Sequence, residues 1–398
     1  MIGDGRETLR GFPMNHILQC HDITKTDFVS GRNCRLTDAE GREFVDFESG
    51  CWSAALGYCH PRINGVMAAQ IERVMHLGTR YPNALAEEAA VRVLDITGLG
   101  DGKCVLLSSG SEAVEFGVQA ARRISGRPLL LTFSNSYLAA YGSGGNRRTD
   151  EWVSLDPSAG DGADPSAILD SIPFERIGGF IFEPGGSGSA AVRFPPAVLV
   201  REIARRVKAA GGLVVANEVT TGMGRTGRWF GFQHYDVQPD IVALGKGLGN
   251  GYPVSAAAMR PEVADALERG GLHYAQSHQN DPLGAAVALE VIAIMQEERW
   301  VERGAELGAF FLGELRRLQE KHPAVKDARG RGMVLALEFR AGAAVTSATV
   351  FRALFERGFL VACSTATNHI RFDPSLTIEK DDVIALVSAL DEILTARG

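Results

Sequence analysis

Three short segments of this 398-residue chain each place reactive or polar groups directly after an apolar run. They are residues 109–112 (SGSE) after VLLS, Asn217 at the end of GLVVAN, and Lys246 after IVALG. A serine- and glycine-containing turn that opens a helix offers backbone N–H groups to a phosphate. Lysine is rarely buried, and desolvation lowers its pKa and leaves a free amine that attacks carbonyl groups. The three segments together suit a phosphorylated aldehyde cofactor.

Each segment alone also has a simpler interpretation. Residues 109–112 match an ordinary capped helix start, with Ser111 or a neighbour as the cap. Lys246 could be a surface lysine on a glycine-rich turn. The histidines His60, His234 and His278 are typical of packing, helix-start or loop positions. Because no His, Cys and carboxylate group has metal-ligand spacing, we predict no bound metal.

The elements that must position these residues alternate between apolar strands and helices. The predicted strands cover residues 103–108, 128–133, 177–183, 212–217, 241–245 and 254–259. This alternation indicates a parallel sheet with helices on both faces. Ligands of such sheets bind at the carboxyl ends of the strands, where the three segments lie.

The chain length and the patterns at both ends predict more than one domain. A β-hairpin is predicted around the turn at residues 39–41, followed by a helix over residues 60–76 and another over 85–94. The tail combines long helices with short strands at VLALEF, FLVAC and HIRF. We therefore predict an N-terminal segment (1–49) that packs with the tail, a large domain (50–282) and a small α+β domain (283–398).

Composition excludes several classes of protein. The formal charge is −7, and the basic residues are scattered, which gives no footprint for nucleic acid. No apolar stretch is long enough to span a membrane, and the first ten residues lack the pattern of a signal peptide. We therefore expect neither nucleic acid nor a membrane as partner, and a cytoplasmic location.

Six blocks, in order and spread over nearly the whole chain, resemble the class III pyridoxal-phosphate (PLP) dependent aminotransferases, the family of ornithine, acetylornithine and 4-aminobutyrate aminotransferases. They are DAEGREFVDFESGCWSAALGYCHPRI, SSGSEAVEFGVQAARRISGRP, FIFEPGGSG, NEVTTGMGRTGRWFGFQHYDVQPDIVALGKGLGNGYPVSA, SHQNDPLGAAVALEVI and HIRFDPSL. The resemblance implies PLP-dependent transferase fold type I (aspartate-aminotransferase-like), with a large α/β/α domain around a mostly parallel sheet and a smaller α+β domain. It also implies a homodimer whose site is shared across the two-fold interface.

The resemblance further implies a role for each matching residue. Lys246 carries PLP as a Schiff base and then acts as the acid/base of the reaction. Gly110 and Ser111 bind the phosphate, and Ser277 reaches the phosphate held by the partner subunit. The remaining positions are Tyr137 and Val219, which pack on the two faces of the ring, Arg371, which binds a substrate carboxylate, and Trp52, which lines the substrate pocket. Four of these positions also have a purely structural interpretation. Tyr137 could be a core aromatic and Trp52 a packing residue. Arg371 could be the partner in a structural ion pair and Ser277 only a loop hydroxyl.

This sequence departs from the family pattern at the cofactor ring. Asn217 stands where the family has an Asp that holds the protonated pyridine nitrogen. Charge-assisted hydrogen bonds contribute about 1.5–3 kcal/mol against about 0.5–1.5 for neutral ones, and a loss of about 2 kcal/mol in the transition state slows a reaction more than tenfold. Thr220 replaces the usual Gln at the ring's phenolic oxygen. Gly188 replaces a Glu that masks the carboxylate-binding arginine in members acting on terminal amines, so we expect Arg371 to be open.

The leading prediction is an aminotransferase that moves an amino group from a small-molecule amino donor to a keto-acid acceptor. A racemase, lyase or decarboxylase on the same scaffold is the alternative, because Asn217 weakens the electron sink. A PLP-binding protein without catalytic activity is the third hypothesis. The intact Lys246, Arg371 and phosphate loop count against it.

Overall fold

A computed structural model describes residues 16–18, 20–21, 24, 26–160, 165–185 and 192–397 of the chain. Gly188, on which the expected exposure of Arg371 depends, lies outside these residues. Within the described part, no helix is long and apolar enough to cross a membrane.

The N-terminal part forms a small antiparallel sheet. Its strands are β1 (Phe28–Arg32), β2 (Arg35–Asp38) and β3 (Glu43–Asp46). Strands β2 and β3 are antiparallel neighbours, which confirms the hairpin predicted around residues 39–41. Val45 and Asp46 of β3 also pair in parallel with Phe359 and Leu360. The N-terminal segment therefore shares a sheet with residues of the tail.

A seven-stranded sheet is the centre of the molecule. Its strands are β4 (Lys103–Leu107), β5 (Leu129–Phe133), β6 (Trp152–Leu155), β7 (Ile177–Phe182), β8 (Leu213–Asn217), β9 (Ile241–Leu244) and β10 (Ser255–Met259), in the order β4-β10-β9-β8-β7-β5-β6. Strand β10 runs antiparallel to both β4 and β9, and the other pairs are parallel. Strands β4, β9, β8, β7 and β5 consequently point the same way, and their carboxyl ends meet at one edge.

Helices cover both faces of this sheet. Those of the N-terminal two thirds are α1 (Ser49–Trp52), α2 (Pro61–Ile71), α3 (Ala84–Thr97), α4 (Gly110–Ser125), α5 (Gly142–Asn146), α6 (Ser166–Leu169), α7 (Ala197–Ala209) and α8 (Pro261–Arg269). Neighbouring residues of one strand enter different cores, since Val215 packs in the cluster with α4 and α8 while Val214 packs in the cluster with α3 and α7. Burial on both faces explains why these strands read as unbroken apolar runs.

The tail packs its own sheet against long helices. Its helices are α9 (Pro282–Glu297), α10 (Trp300–Lys321), α11 (Ser347–Glu356) and α12 (Lys380–Arg397), and its strands are β11 (Val325–Arg331), β12 (Val334–Phe339), β13 (Phe359–Leu360), β14 (Ala362–Ser364) and β15 (His369–Phe372). The order β11-β12-β15-β14 forms one sheet, and β13 belongs to the N-terminal sheet. The single strand predicted at FLVAC is therefore wrong, because the chain passes from one sheet to another at Val361. The three-part division of the chain stays a proposal.

Candidate active site

The carboxyl ends of β4, β8 and β9 bring the three predicted segments into contact. A side chain at Gly110, the first residue of α4, would place its Cβ 2.4 Å from a methyl carbon of Val219, just beyond β8. A Cβ at Gly245, next to Lys246, would lie 3.1 Å from the Cα of Gly110. Close approach of backbone and side chain at this point requires glycine.

The start of α4 leaves N–H groups free at its positive end. The Ser109 side chain accepts from the Glu112 N–H at 3.3 Å, and the Glu112 carboxylate accepts from the N–H groups of Ser108 and Ser109 at 2.8 and 2.9 Å. This is a capping box, so the cap of the helix is Ser109. The N–H groups of Gly110 and Ser111 have no acceptor among the described residues. The Ser111 hydroxyl accepts from the Ala140 N–H at 2.9 Å, and its own O–H can still donate to an anion alongside the backbone N–H.

Lys246 lies at the same edge of the sheet in a strained conformation. Its φ is 45°, a backbone conformation that residues other than glycine rarely adopt. Residues held in such conformations cluster at functional sites. Its Nζ donates to the Thr220 hydroxyl at 2.9 Å, and no carboxylate of the described residues forms an ion pair with it. Burial lowers the pKa of Lys246, while the negative charge of Glu183 acts in the opposite direction. Its partial burial and its bond to Thr220 count against the simpler interpretation as a surface lysine, and its role towards a cofactor stays a prediction.

Asn217 is 2% exposed at the end of β8, and both ends of its amide are bonded to backbone. Its Nδ2 donates to the Tyr137 carbonyl at 2.9 Å, and its Oδ1 accepts from the Val219 N–H at 3.2 Å. The Tyr137 N–H in turn donates to the buried Glu183 carboxylate at 3.1 Å. The Tyr137 backbone is thus held from both sides, while its side chain is 49% exposed and available to cover a ligand.

Trp52 packs against both Lys246 and Arg371. Its ring centroid is 4.8 Å from the Lys246 Nζ and 3.8 Å from the Arg371 Cζ. The turn Ser49–Trp52 that presents it has positive φ at all four residues, a conformation that costs roughly 1–2 kcal/mol per residue outside glycine. The fully buried Arg225 stabilises this turn by donating to the Ser49 hydroxyl and the Trp52 carbonyl at 3.1 and 3.3 Å.

Arg371 is less open than the sequence led us to expect. It is 6% exposed, and its Nε donates to the Asp373 carboxylate at 2.6 Å. Its two Nη groups have no acceptor among the described residues and remain available. Glu183 and Asp373 were not identified from the sequence. Asp373 had a usable signal, since residues i and i+2 of an extended chain lie on the same side, whereas Glu183 had only its place after a strand.

Ser277 lies in an exposed turn before α9, and the adjacent His278 forms a cluster with His76 and the buried Asp281. The role of Ser277 towards a second subunit remains a prediction. The Nδ1 atoms of His76 and His278 lie 2.8 and 2.6 Å from carboxylate oxygens of Asp281. The three ligand atoms lie within 4.8 Å of one another, and the predicted absence of a metal also remains a prediction.

The residues at the strand ends fit a phosphorylated aldehyde cofactor. Among the described residues, the site offers an amine that forms no ion pair with a carboxylate, two N–H groups without an acceptor at a helix N-terminus, an accessible aromatic ring and a buried amide. A Cβ at residue 110 would collide with the Val219 side chain, so only glycine leaves this point of the site open.

Comparison with known proteins identifies the family. Residues 19–139 and 168–394 match the sequence model of the family Aminotransferase class-III. The chain belongs to the class III aminotransferases. It is 27% identical to the acetylornithine aminotransferase of Methanocaldococcus jannaschii, covering 95% of this chain and 96% of that one. It is 32% identical to the 5-aminovalerate aminotransferase DavT of Pseudomonas aeruginosa, covering 87% and 88%.

Solved structures of class III aminotransferases share this architecture. The acetylornithine aminotransferase from Elizabethkingia anophelis superposes with a TM-score of 0.83 at 26% identity, covering 96% of each chain. The ornithine aminotransferase of Toxoplasma gondii, which contains partially occupied PLP at its active site, superposes with a TM-score of 0.84 at 26% identity, covering 95% of this chain and 92% of that one. These matches confirm the predicted family, fold type I, PLP as cofactor and the aminotransferase activity.

Proposed function

We propose that this aminotransferase takes its amino group from a donor that carries a carboxylate near the amine, and passes it to a keto acid. The observation that carries this proposal is the shared contact of Lys246 and Arg371 with the ring of Trp52. An amine-handling group and a carboxylate-binding group consequently lie close together, around one aromatic ring. PLP supplies the carbonyl that receives the amino group and a ring that withdraws electrons from the donor.

Lys246 is proposed to hold PLP and then to move the donor's Cα proton. Burial lowers its pKa and so favours the neutral amine, which is the form that reacts with an aldehyde and the form that accepts a proton. The Thr220 hydroxyl, 2.9 Å away, orients the Nζ. The Trp52 ring excludes water from one side of it.

Arg371 is proposed to hold the donor carboxylate. Its Nε is fixed by Asp373 and its guanidinium plane by Trp52, so the free Nη groups are oriented before a substrate arrives. A preoriented guanidinium loses less side-chain entropy on forming two hydrogen bonds with a carboxylate.

The other roles stay proposals that rest on the family resemblance. Gly110 and Ser111 bind the phosphate, Tyr137 and Val219 cover the ring, and Ser277 completes the phosphate site of the partner in a homodimer. The exposed Tyr137 side chain and the free N–H groups of α4 support these roles. A cytoplasmic location also stays a proposal.

This function is tested with pairs of amino donors that differ only in the presence of a carboxylate. We expect L-alanine to be a far better donor than ethylamine in the wild type, and Arg371→Ala to remove most of that preference. A charge-assisted pair contributes about 1.5–3 kcal/mol, which corresponds to roughly 13- to 160-fold in kcat/KM.

The surface variant Arg317→Ala on α10 serves as the matched control and should behave like the wild type. If no donor of either kind transfers its amino group, the proposed function is wrong. If Arg371→Ala retains the full preference for the carboxylate, only the role of Arg371 is wrong.

A further inference from the structure

Asn217 is built into the site as an amide and not as a substitute for a carboxylate. Its Nδ2 donates to the Tyr137 carbonyl and its Oδ1 accepts from the Val219 N–H. Rotating the amide by half a turn would place oxygen against a carbonyl and NH₂ against an N–H. The two backbone groups therefore fix which end of the amide is which.

A carboxylate at this position would lose the contact with Tyr137. A backbone carbonyl has no proton to donate, so a carboxylate oxygen near it would meet a second acceptor. An unpaired buried polar group costs about 1–3 kcal/mol. The Tyr137 carbonyl, 2.9 Å from Nδ2, consequently requires a donor at position 217.

The same amide has one N–H left over. Nδ2 carries two hydrogens, and only the Tyr137 carbonyl accepts from it among the described residues. Asn217 is almost fully buried, so the second hydrogen needs an acceptor that a bound ligand provides. An uncharged pyridine nitrogen is such an acceptor, and a protonated one is not.

The surroundings also disfavour a cation at this point. The amide oxygen carries no charge to balance a pyridinium, and burial penalises charged groups. Glu183 is the buried carboxylate that contacts the same loop. It accepts a hydrogen bond from the Tyr137 N–H at 3.1 Å. The Arg371 guanidinium adds positive charge to the pocket.

We propose that Asn217 keeps the ring nitrogen of PLP unprotonated by donating its free Nδ2–H to that nitrogen. The inference rests on the proposed placement of the PLP ring against Asn217. An unprotonated ring withdraws electrons more weakly than a pyridinium. Asn217 is thus a determinant of how far the bound cofactor stabilises negative charge on the substrate.

The ¹⁵N NMR shift of the ring nitrogen tests this proposal in the resting protein, without turnover. Holoprotein is prepared with PLP labelled at the ring nitrogen, and free PLP at low and high pH supplies the protonated and unprotonated references. We expect the wild-type shift at the unprotonated reference, and the Asn217→Asp shift moved towards the protonated one. A wild-type shift at the protonated reference would overturn the proposal.

Asn368→Asp is the matched control. The Asn368 amide makes the same kind of bridge, donating to the Phe339 carbonyl at 3.2 Å and accepting from the Ser347 N–H at 2.9 Å. It lies in the turn between β14 and β15. We expect this variant to leave the ring ¹⁵N shift at the wild-type value.

A cofactor analogue gives a second readout that needs no variant. In 1-deaza-PLP a C–H replaces the ring nitrogen, which removes the acceptor while preserving the shape. We expect this analogue to bind wild-type apoprotein roughly tenfold more weakly than PLP, because the Asn217 N–H is left unpaired. Equal affinities would contradict the hydrogen bond.

The failure of this inference differs visibly from failure of the proposed function. If PLP forms no visible absorption band with the wild-type protein, the placement of the cofactor on Lys246 is wrong. If the band forms and the ring nitrogen is protonated, the cofactor site stands and only the role of Asn217 is wrong.

Discussion

The start of α4 has no room for a side chain at residue 110, and Gly110→Ala should therefore damage cofactor binding. The new methyl group would lie 2.4 and 2.7 Å from two methyl carbons of Val219, against 3.4–4 Å for an ordinary contact. Either the Val219 side chain must change its rotamer, or α4 or the segment after β8 must move by about 1 Å. Overpacking of this kind typically costs about 1–3 kcal/mol, or roughly 5- to 160-fold in the Kd for PLP if the strain is felt in the bound state.

Titration of apoprotein with PLP, followed by visible absorbance, measures that loss. Gly313→Ala is the matched control, because a Cβ at Gly313 on α10 meets nothing within 4 Å. Adding Val219→Ala to Gly110→Ala removes the clashing methyl groups and should restore part of the affinity, as expected for residues in contact. A Gly110→Ala variant that binds PLP as tightly as wild type would refute the close approach of these segments.

Other predictions concern the residues around Lys246. Lys246→Ala should bind PLP without the visible band of the wild type, and a variant that keeps the band would remove Lys246 from its role. Since burial lowers the pKa of Lys246 below its usual 10.5, its amine loses its proton at lower pH. The rate of PLP capture by apoprotein should therefore rise with pH and level off before the ordinary lysine range, and a rate that still rises there would contradict the lowered pKa. Trp52→Ala should weaken both PLP capture and the preference for carboxylate-bearing donors, whereas Trp52→Phe should retain most of each. Kinetics with L-alanine as donor distinguish the two variants. Removing PLP should lower Tm, by an amount that grows with the concentration of PLP in the reference sample, and calorimetry that shows no such dependence would mean that PLP does not bind the native fold.

The central sheet could be predicted because its strands are buried on both faces. Runs such as IGGFIF and LVVAN are apolar throughout, and they became β7 and β8 within one residue of the predicted ends. Strand β6 was missed because it lies at the edge of the sheet, and its sequence WVSL mixes polar and apolar residues. The antiparallel direction of β10 depends on a chain path that its local sequence does not determine.

The candidate site was predictable at its strand ends and not in its long-range contacts. The segments at Gly110, Asn217 and Lys246 follow strands directly, so local patterns located them. The turn that presents Trp52 has four positive φ values, which no local propensity favours, and the buried Arg225 far along the chain stabilises it. The Asp373 carboxylate accepts a hydrogen bond from Arg371 and so reduces the number of its donors that remain for a substrate. The sequence alone predicted an arginine with all of its donors available.

A single spectroscopic cycle tests the central claim most directly. Purified holoprotein is mixed with one carboxylate-bearing amino donor at a time, and the visible absorption band is followed before and after a keto acid is added. Amino transfer through Lys246 predicts that the visible band is replaced by a near-ultraviolet band and that a keto acid restores the visible band. It also predicts one molecule of keto product for each molecule of cofactor that loses the visible band. A visible band that persists with every donor, while the donor's Cα–H exchanges or another product forms, would contradict the assignment as an aminotransferase.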